Sequence, residues 1–182
     1  SGALVPNLGD WLNEEPTWAE AVETQPKGEL RNYFNDILDG KVRVAVKPQY
    51  VDHIPKQFTG KVGELLAHAD ERKAMDEVTA ELGIDHLLER EVGELSGGEL
   101  QRLAIAATLL RDVDVYFFDE PSSYLDIFER MRVVKILQRL SKEHRVIVIE
   151  HDLAILDVLS DLVHIVYGER AAFGIFTPPR TT

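Results

Sequence analysis

The chain has 182 residues, 45% of them hydrophobic and 29% charged, enough for one domain with a sizeable core and too apolar for a disordered segment. Zero cysteines exclude disulfides, thiolate metal sites and cysteine nucleophiles within it. A formal net charge of −12, from 32 acidic against 20 basic residues, speaks against a broad basic face for nucleic acid. No apolar run approaches the roughly 18 residues of a membrane span and no signal-peptide pattern opens the chain, so a cytoplasmic protein is expected.

In chain order, "SGALVPNLGDWLNEEP" reads as loop, punctuated by glycine, asparagine and proline. Residues 16–25 and 28–38 predict two short helices around Pro26-Lys27-Gly28, the second with Leu30, Tyr33, Phe34, Ile37 and Leu38 on one face. "KVRVAVKPQYVD" (41–52) alternates valines with Lys41, Arg43 and Lys47, the pattern of a half-buried strand stopped by Pro48. Helices are expected for "KVGELLAHA" and "ERKAMDEVTAELG", the second ended by Gly83, and again from 99 to about 110. The run "VDVYFFDEP" (113–121) suits a strand buried on both faces. A helix at 127–142, a second buried strand "RVIVIEHD" (145–152), the helix "LAILDVLSD" and a third strand "LVHIVYG" follow, with one edge strand in the tail. Strands alternating with helices predict an α/β fold around a parallel sheet.

Ligands of open parallel sheets bind beyond the carboxyl ends of the strands. Two strands here end in polar residues at that edge. Asp119 follows an apolar run, as an acid holding Mg²⁺ on a nucleotide does, and Glu120 beside it is placed to polarise a water. Glu150-His151-Asp152 ends the next strand, from which His151 can reach a γ-phosphate. Taken singly, Asp119 is better read as capping a turn and His151 as beginning a helix; their co-occurrence at one edge favours the site. Ser96-Gly97-Gly98-Glu99 has capping-box spacing ahead of an apolar helix. Its two glycines fit a tight turn, or bare backbone N–H groups that cradle phosphate.

Together these segments resemble the nucleotide-binding domain of ABC-type ATPases. Leu95-Ser96-Gly97-Gly98-Glu99 matches the signature motif, Val115 to Glu120 the Walker B strand, Ser123-Tyr124-Leu125-Asp126 the D-loop, His151 the switch histidine and Gln49 the Q-loop, in the family's order. "KPQYVDHIPK", "LSGGELQRLAIAATL" and "DEPSSYLD" are similar to the first nucleotide-binding domain of ABC class E, the RNase L inhibitor family of ribosome-recycling ATPases. The resemblance implies a P-loop NTPase fold over 1–182: a helix-loop-helix insertion (16–40), a Q-loop region (41–55), a helical and signature region (56–111) and a Walker B to switch-histidine region (112–182).

For function, the resemblance implies ATP hydrolysis coupled to ribosome splitting in translation, with a non-catalytic ribosome-binding module or a transporter subunit as alternatives. It implies Glu120 and His151 as catalytic residues, Asp119 and Gln49 as metal-associated, and Gln49, Ser96, Gly97, Gly98, Glu99 and Asp126 as nucleotide-binding. The signature residues would close over a γ-phosphate held by a second nucleotide-binding domain. ATP and Mg²⁺ are the implied ligands, with iron–sulfur clusters only in a further N-terminal domain of the family's proteins. The implied partners are that second domain, the small ribosomal subunit and a release or rescue factor, and no membrane. Lys27 and Arg31 in the insertion are the candidate phosphate contacts.

One departure stands against these matches. No G-x-x-x-x-G-K-[ST] pattern occurs: around Gly60-Lys61, Pro55 stands at the first glycine's place and Val62 at the Ser/Thr. The expectation is therefore a domain lacking its phosphate-loop segment and inactive by itself.

Overall fold

A computed structural model describes residues 22–23, 28–169 and 173–181. The described chain falls into two compact units, one containing residues 44–161 and the other residues on either side of them.

The larger unit is built on three parallel strands, β1 (Val44–Lys47), β2 (Val115–Asp119) and β3 (Arg145–Ile149), in the order β1-β2-β3. Helices α2 (Ile54–Gln57), α3 (Val62–Ala69) and α4 (Met75–Leu82) separate β1 from α5 (Gly97–Leu109), and α6 (Ile127–Leu140) and α7 (Leu153–Leu159) flank β3 in the chain. The expected parallel α/β architecture is present.

Helix α5 packs on β1 and β2 with one side and on α3 and α4 with the other, which is why it buries residues around most of its circumference. Leu66, Leu82, Leu103, Ile105, Tyr116, Phe118 and Leu137 are the centre of this core, each at most 1% exposed. Burying side chains of this size contributes on the order of 2 kcal/mol apiece before conformational entropy is set against it. The Tyr116 hydroxyl donates to the Arg111 carbonyl at 2.6 Å, so the one polar atom of that ring is satisfied. Gly83 ends α4 at φ +64°, a left-handed conformation that glycine takes without a Cβ penalty.

Four strand readings need correction. Strand β1 is four residues long, and its buried phase is Ala45 and Lys47 while Val44 is exposed, the reverse of valines in and lysines out. The reason is chemical: Lys47 finds buried carbonyl acceptors, described below. Strand β3 is not buried on both faces; Arg145, Ile147 and Ile149 are exposed, because among the described residues it pairs only with β2. "LVHIVYG" is not a third strand of the parallel sheet.

In the smaller unit that segment divides into β4 (Leu162–Val163) and β5 (Val166–Glu169). They pair antiparallel with β7 (Arg180–Thr181) and β6 (Phe173–Phe176), so the tail carries two short strands where one was expected. The Thr177 hydroxyl accepts from the Ile165 amide at 2.8 Å at the turn between the pairs. Helix α1 (Glu29–Leu38) matches the second insertion helix, with Phe34 and Ile37 partly buried and Tyr33 and Leu38 exposed. Of the first insertion helix only Val22 and Glu23 are described, both helical; the rest, with Lys27, lies outside the described residues.

Candidate functional site

Register assembles the site. Lys47 lies opposite Phe118, and Asp119 opposite Ile149, so the three strands end at one level. The residues just past those ends, Gln49, Glu120 and Glu150-His151, are therefore delivered to one place by strands far apart in sequence.

The Glu120 carboxylate is the meeting point. Its Oε1 accepts from Gln49 Nε2 at 2.8 Å and lies 3.2 Å from His151 Nε2. Its Oε2 accepts from the Ser123 hydroxyl at 3.1 Å. The His151 ring is 80% exposed, free to meet a ligand from solvent. Gln49, Tyr50, Glu120, Ser123, Tyr124 and Arg130 line an open cleft of ≈ 350 Å³. Burial, and next the negative charge of Glu120, push the Asp119 carboxyl above the ordinary aspartate range. Two acids that repel in this way, both hard oxygen donors, suit a divalent cation. Among the described residues no three His, Cys, Asp or Glu side chains form a ready cage. Mg²⁺ keeps several of its waters and takes one or two protein carboxylates, so Asp119 with the Gln49 carbonyl oxygen fits it.

The signature residues form a second cluster. Ser96 caps α5: its hydroxyl accepts from the Glu99 amide at 3.4 Å, while Glu99 Oε2 accepts from the Ser96 amide at 2.8 Å. The expected capping box is present. Glu99 Oε1 accepts from Arg90 at 3.0 Å, so both oxygens of Glu99 are engaged within the protein. The glycines answer a close approach. A Cβ on Gly98 would lie 3.0 Å from the Tyr124 carbonyl oxygen, and one on Gly97 would lie 3.3 Å from the Tyr124 ring. Tyr124 itself has φ +64°. Asp126 caps α6, accepting from the Glu129 amide at 2.9 Å, and Glu129 pairs with Arg102 of α5 at 3.0 Å. The structure thus brings Gln49, Asp119, Glu120 and His151 together, and separately Ser96 and Glu99 in the cap of α5, Gly97 and Gly98 against Tyr124, and Asp126 at the cap of α6.

Sequence reasoning missed the supports. Lys47 is fully buried, and its Nζ donates to the carbonyls of Asp119 at 2.8 Å and Glu120 at 3.3 Å. Burial lowers its pKa to about 8 despite the nearby carboxylates. Gln101 of α5, also fully buried, donates to the Glu120 carbonyl at 2.6 Å. Glu150 accepts from the Ser122 amide at 2.8 Å. Arg130 donates to the Leu125 carbonyl at 2.9 Å and to Asp152 at 3.0 Å, tying the turn after β2 to the N-cap of α7. Only the position of Gln101, four residues into an otherwise apolar helix face, signalled any of this in the sequence.

The family model described as "ABC transporter" matches residues 14–123. The chain belongs to the ABC family. ABC transporter E family member 1 of Arabidopsis thaliana is 43% identical over 98% of this chain, and translation initiation factor RLI1 of Chaetomium thermophilum 45% identical over 100% of it. These relatives place the ABC chain in the E class. It spans 30% of the length of each. Among solved structures, the archaeal ribosome recycling factor aABCE1, in complex with the ribosomal stalk protein aP1, superposes with a TM-score of 0.85 at 51% identity, covering 92% of this chain and 32% of that one. The fold is that of the ABC-type P-loop NTPases. ABC membership implies ATP and Mg²⁺ as ligands in general terms. No helix of the described residues is long and apolar enough to cross a membrane.

Proposed function

We propose that this chain contributes the hydrolytic edge of an ATP site in a cytoplasmic ribosome-recycling factor. The observation that carries the reading is the Glu120 carboxylate, held by Gln49 and Ser123 beside His151 where three parallel strands end. A carboxylate fixed on both oxygens, on rigid elements, is suited to orient a water for attack on the γ-phosphate. His151 holds that phosphate, and Gln49 senses its presence from just past the end of β1. Asp119 and Gln49 hold Mg²⁺, which when bound neutralises charge on the phosphates.

Gly97 and Gly98 supply bare N–H groups at the start of α5, and Ser96 its side chain, for a phosphate held by a second nucleotide-binding domain. Asp126 couples the two clusters through the α6 cap. Glu99 acts through that anion site as its cap rather than as a ligand, since its oxygens are already engaged. The missing G-x-x-x-x-G-K-[ST] pattern implies that the 182-residue chain alone holds Mg-ATP weakly, which calorimetric titration checks. The iron–sulfur clusters of the family belong to a domain other than this one.

The relatives' names, a translation initiation factor and a ribosome recycling factor bound to a stalk protein, support translation as the setting. The proposed partners are the small ribosomal subunit and a release or rescue factor. The insertion bearing Arg31 on α1, with Lys27 before it, is the proposed subunit contact. Sucrose-gradient analysis of ribosomes mixed with the full-length gene product and a release or rescue factor tests this. Splitting into subunits is expected with ATP and not without it. Hydrolysis of ATP with subunits left intact would refute the ribosomal part of the reading.

A further inference from the structure

We propose that Lys47 and Gln101 are positioning residues that clamp the Glu120 peptide and thereby aim its carboxylate. The inference rests on the reading of Glu120 as the group that orients water. Glu120 has φ +45°, a conformation that residues with a Cβ seldom adopt and keep only where the surroundings over-determine it.

The surroundings do so. The Glu120 carbonyl accepts from Gln101 Nε2 at 2.6 Å and from Lys47 Nζ at 3.3 Å, and its amide donates to the Ile149 carbonyl at 2.9 Å. Lys47 also holds the preceding peptide, at the Asp119 carbonyl, 2.8 Å away. Two consecutive peptides at the turn out of β2 are thus gripped by side chains from β1 and α5. Turning either peptide would swing the carboxylate away from Gln49, His151 and Ser123.

The choice of residues is expensive for stability alone. Lys47 and Gln101 are both 0% exposed, in a slot where apolar side chains would avoid the desolvation cost. The Gln101 amide uses only its donor: Oε1, equally buried, has no hydrogen-bond partner among the described residues. A residue kept for packing would not carry an unsatisfied oxygen, whereas one kept to donate to the Glu120 carbonyl must. Lys47 is reached from β1 because it stands opposite Phe118, so its extended side chain passes the end of β2 and meets both carbonyls there.

The test uses the full-length gene product carrying Lys47→Met or Gln101→Met, each alone and combined with Glu120→Gln. Single-turnover ATP hydrolysis, the Mg-ATP KM and the urea midpoint are measured for all. Each single substitution is expected to slow hydrolysis by about 10- to 100-fold through misplacement of the carboxylate. KM should stay within about twofold, because the clamp does not touch the nucleotide. In the Glu120→Gln background either substitution should change the residual rate by less than about twofold, since the group it aims is already disabled. Gln101→Met removes the unpartnered oxygen and should be no less stable than the wild type, which keeps the test open if Lys47→Met folds poorly. Equal slowing in both backgrounds, or full activity in the single variants while Glu120→Gln is slow, would overturn the clamp. If Glu120→Gln alone is as fast as the wild type, the hydrolytic reading of Glu120 fails first and the clamp falls with it.

Discussion

The signature turn at Ser96–Glu99 and the strand end at Asp119–Tyr124 solve opposite problems. At the turn, side chains are consumed: Ser96 and Glu99 cap each other and Arg90 takes the remaining carboxylate oxygen, leaving backbone N–H groups at a helix start as what can be offered outward. At the strand end, backbone is consumed: Lys47, Gln101 and Glu150 take up its carbonyls and an amide, and the Asp119 and Glu120 carboxylates, the second held by Gln49 and Ser123, remain as the charged groups. The turn is therefore a site made of dipoles and the strand end a site made of charges. They meet at Tyr124, whose carbonyl lies against Gly98 and whose ring lies against Gly97. The phosphate-binding surface and the water-orienting carboxylate proposed above need these different chemistries, and one turn of chain joins them.

The contact between the two regions is the place where the contrast breaks most sharply. Gly98→Ala sets a Cβ 3.0 Å from a backbone oxygen that cannot rotate aside, and should cost about 1–3 kcal/mol in urea unfolding. Wild-type stability in that variant would mean the Tyr124 backbone is not pinned as described. At the strand end, Glu150→Ala leaves the Ser122 amide without its acceptor and should cost about 1–2 kcal/mol. The loss should come without a change in m-value, since the compactness of the unfolded chain is untouched.

The charge of the cap gives a smaller and pH-dependent effect. The Ser96 amide, and then the Ser96 hydroxyl, Arg90 and Arg102, hold the Glu99 carboxyl below the ordinary glutamate value of 4.5, with burial opposing them. The unfolded chain therefore takes up this proton first as pH falls. The stabilisation is complete above 4.5 and is lost as pH drops through the lowered folded value. Glu99→Gln should be less stable than the wild type by about 0.5–1 kcal/mol at pH 7, and the gap should close below pH 4.5. A gap independent of pH would assign the cap to shape alone. Gly97→Ala should be the mildest change, neutral or slightly stabilising. Its Cβ meets the exposed Tyr124 side chain, 3.3 Å at the nearest ring atom, and alanine gains up to about 1 kcal/mol of helix propensity.

Local pattern made the helices and the β2 strand legible. Ser96-x-x-Glu99 marked the start of α5, Gly83 the end of α4, and the apolar run to Phe118 the central strand. The same pattern misled at β1 and β3. A lysine reads as solvent-facing unless its acceptors are known, and those of Lys47 are backbone carbonyls more than seventy positions away. The apolar run of β3 reads as doubly buried, yet burial of a strand depends on its neighbours, which periodicity does not report. The motifs pointed to Glu120, Gln49 and His151 as residues but not to their shared oxygen. That convergence comes from strand register, which no single segment encodes.

The central claim is that the Glu120 carboxylate orients water and that the nucleotide is held by other groups. Single-turnover hydrolysis and equilibrium Mg-ATP binding of the full-length gene product carrying Glu120→Gln test it together. The amide keeps the shape of Glu120 and loses the charge. Hydrolysis at this site should fall by about 10²–10⁴-fold, with Mg-ATP affinity within about threefold of the wild type. An undiminished single-turnover rate would contradict the account and move the water-orienting role away from Glu120.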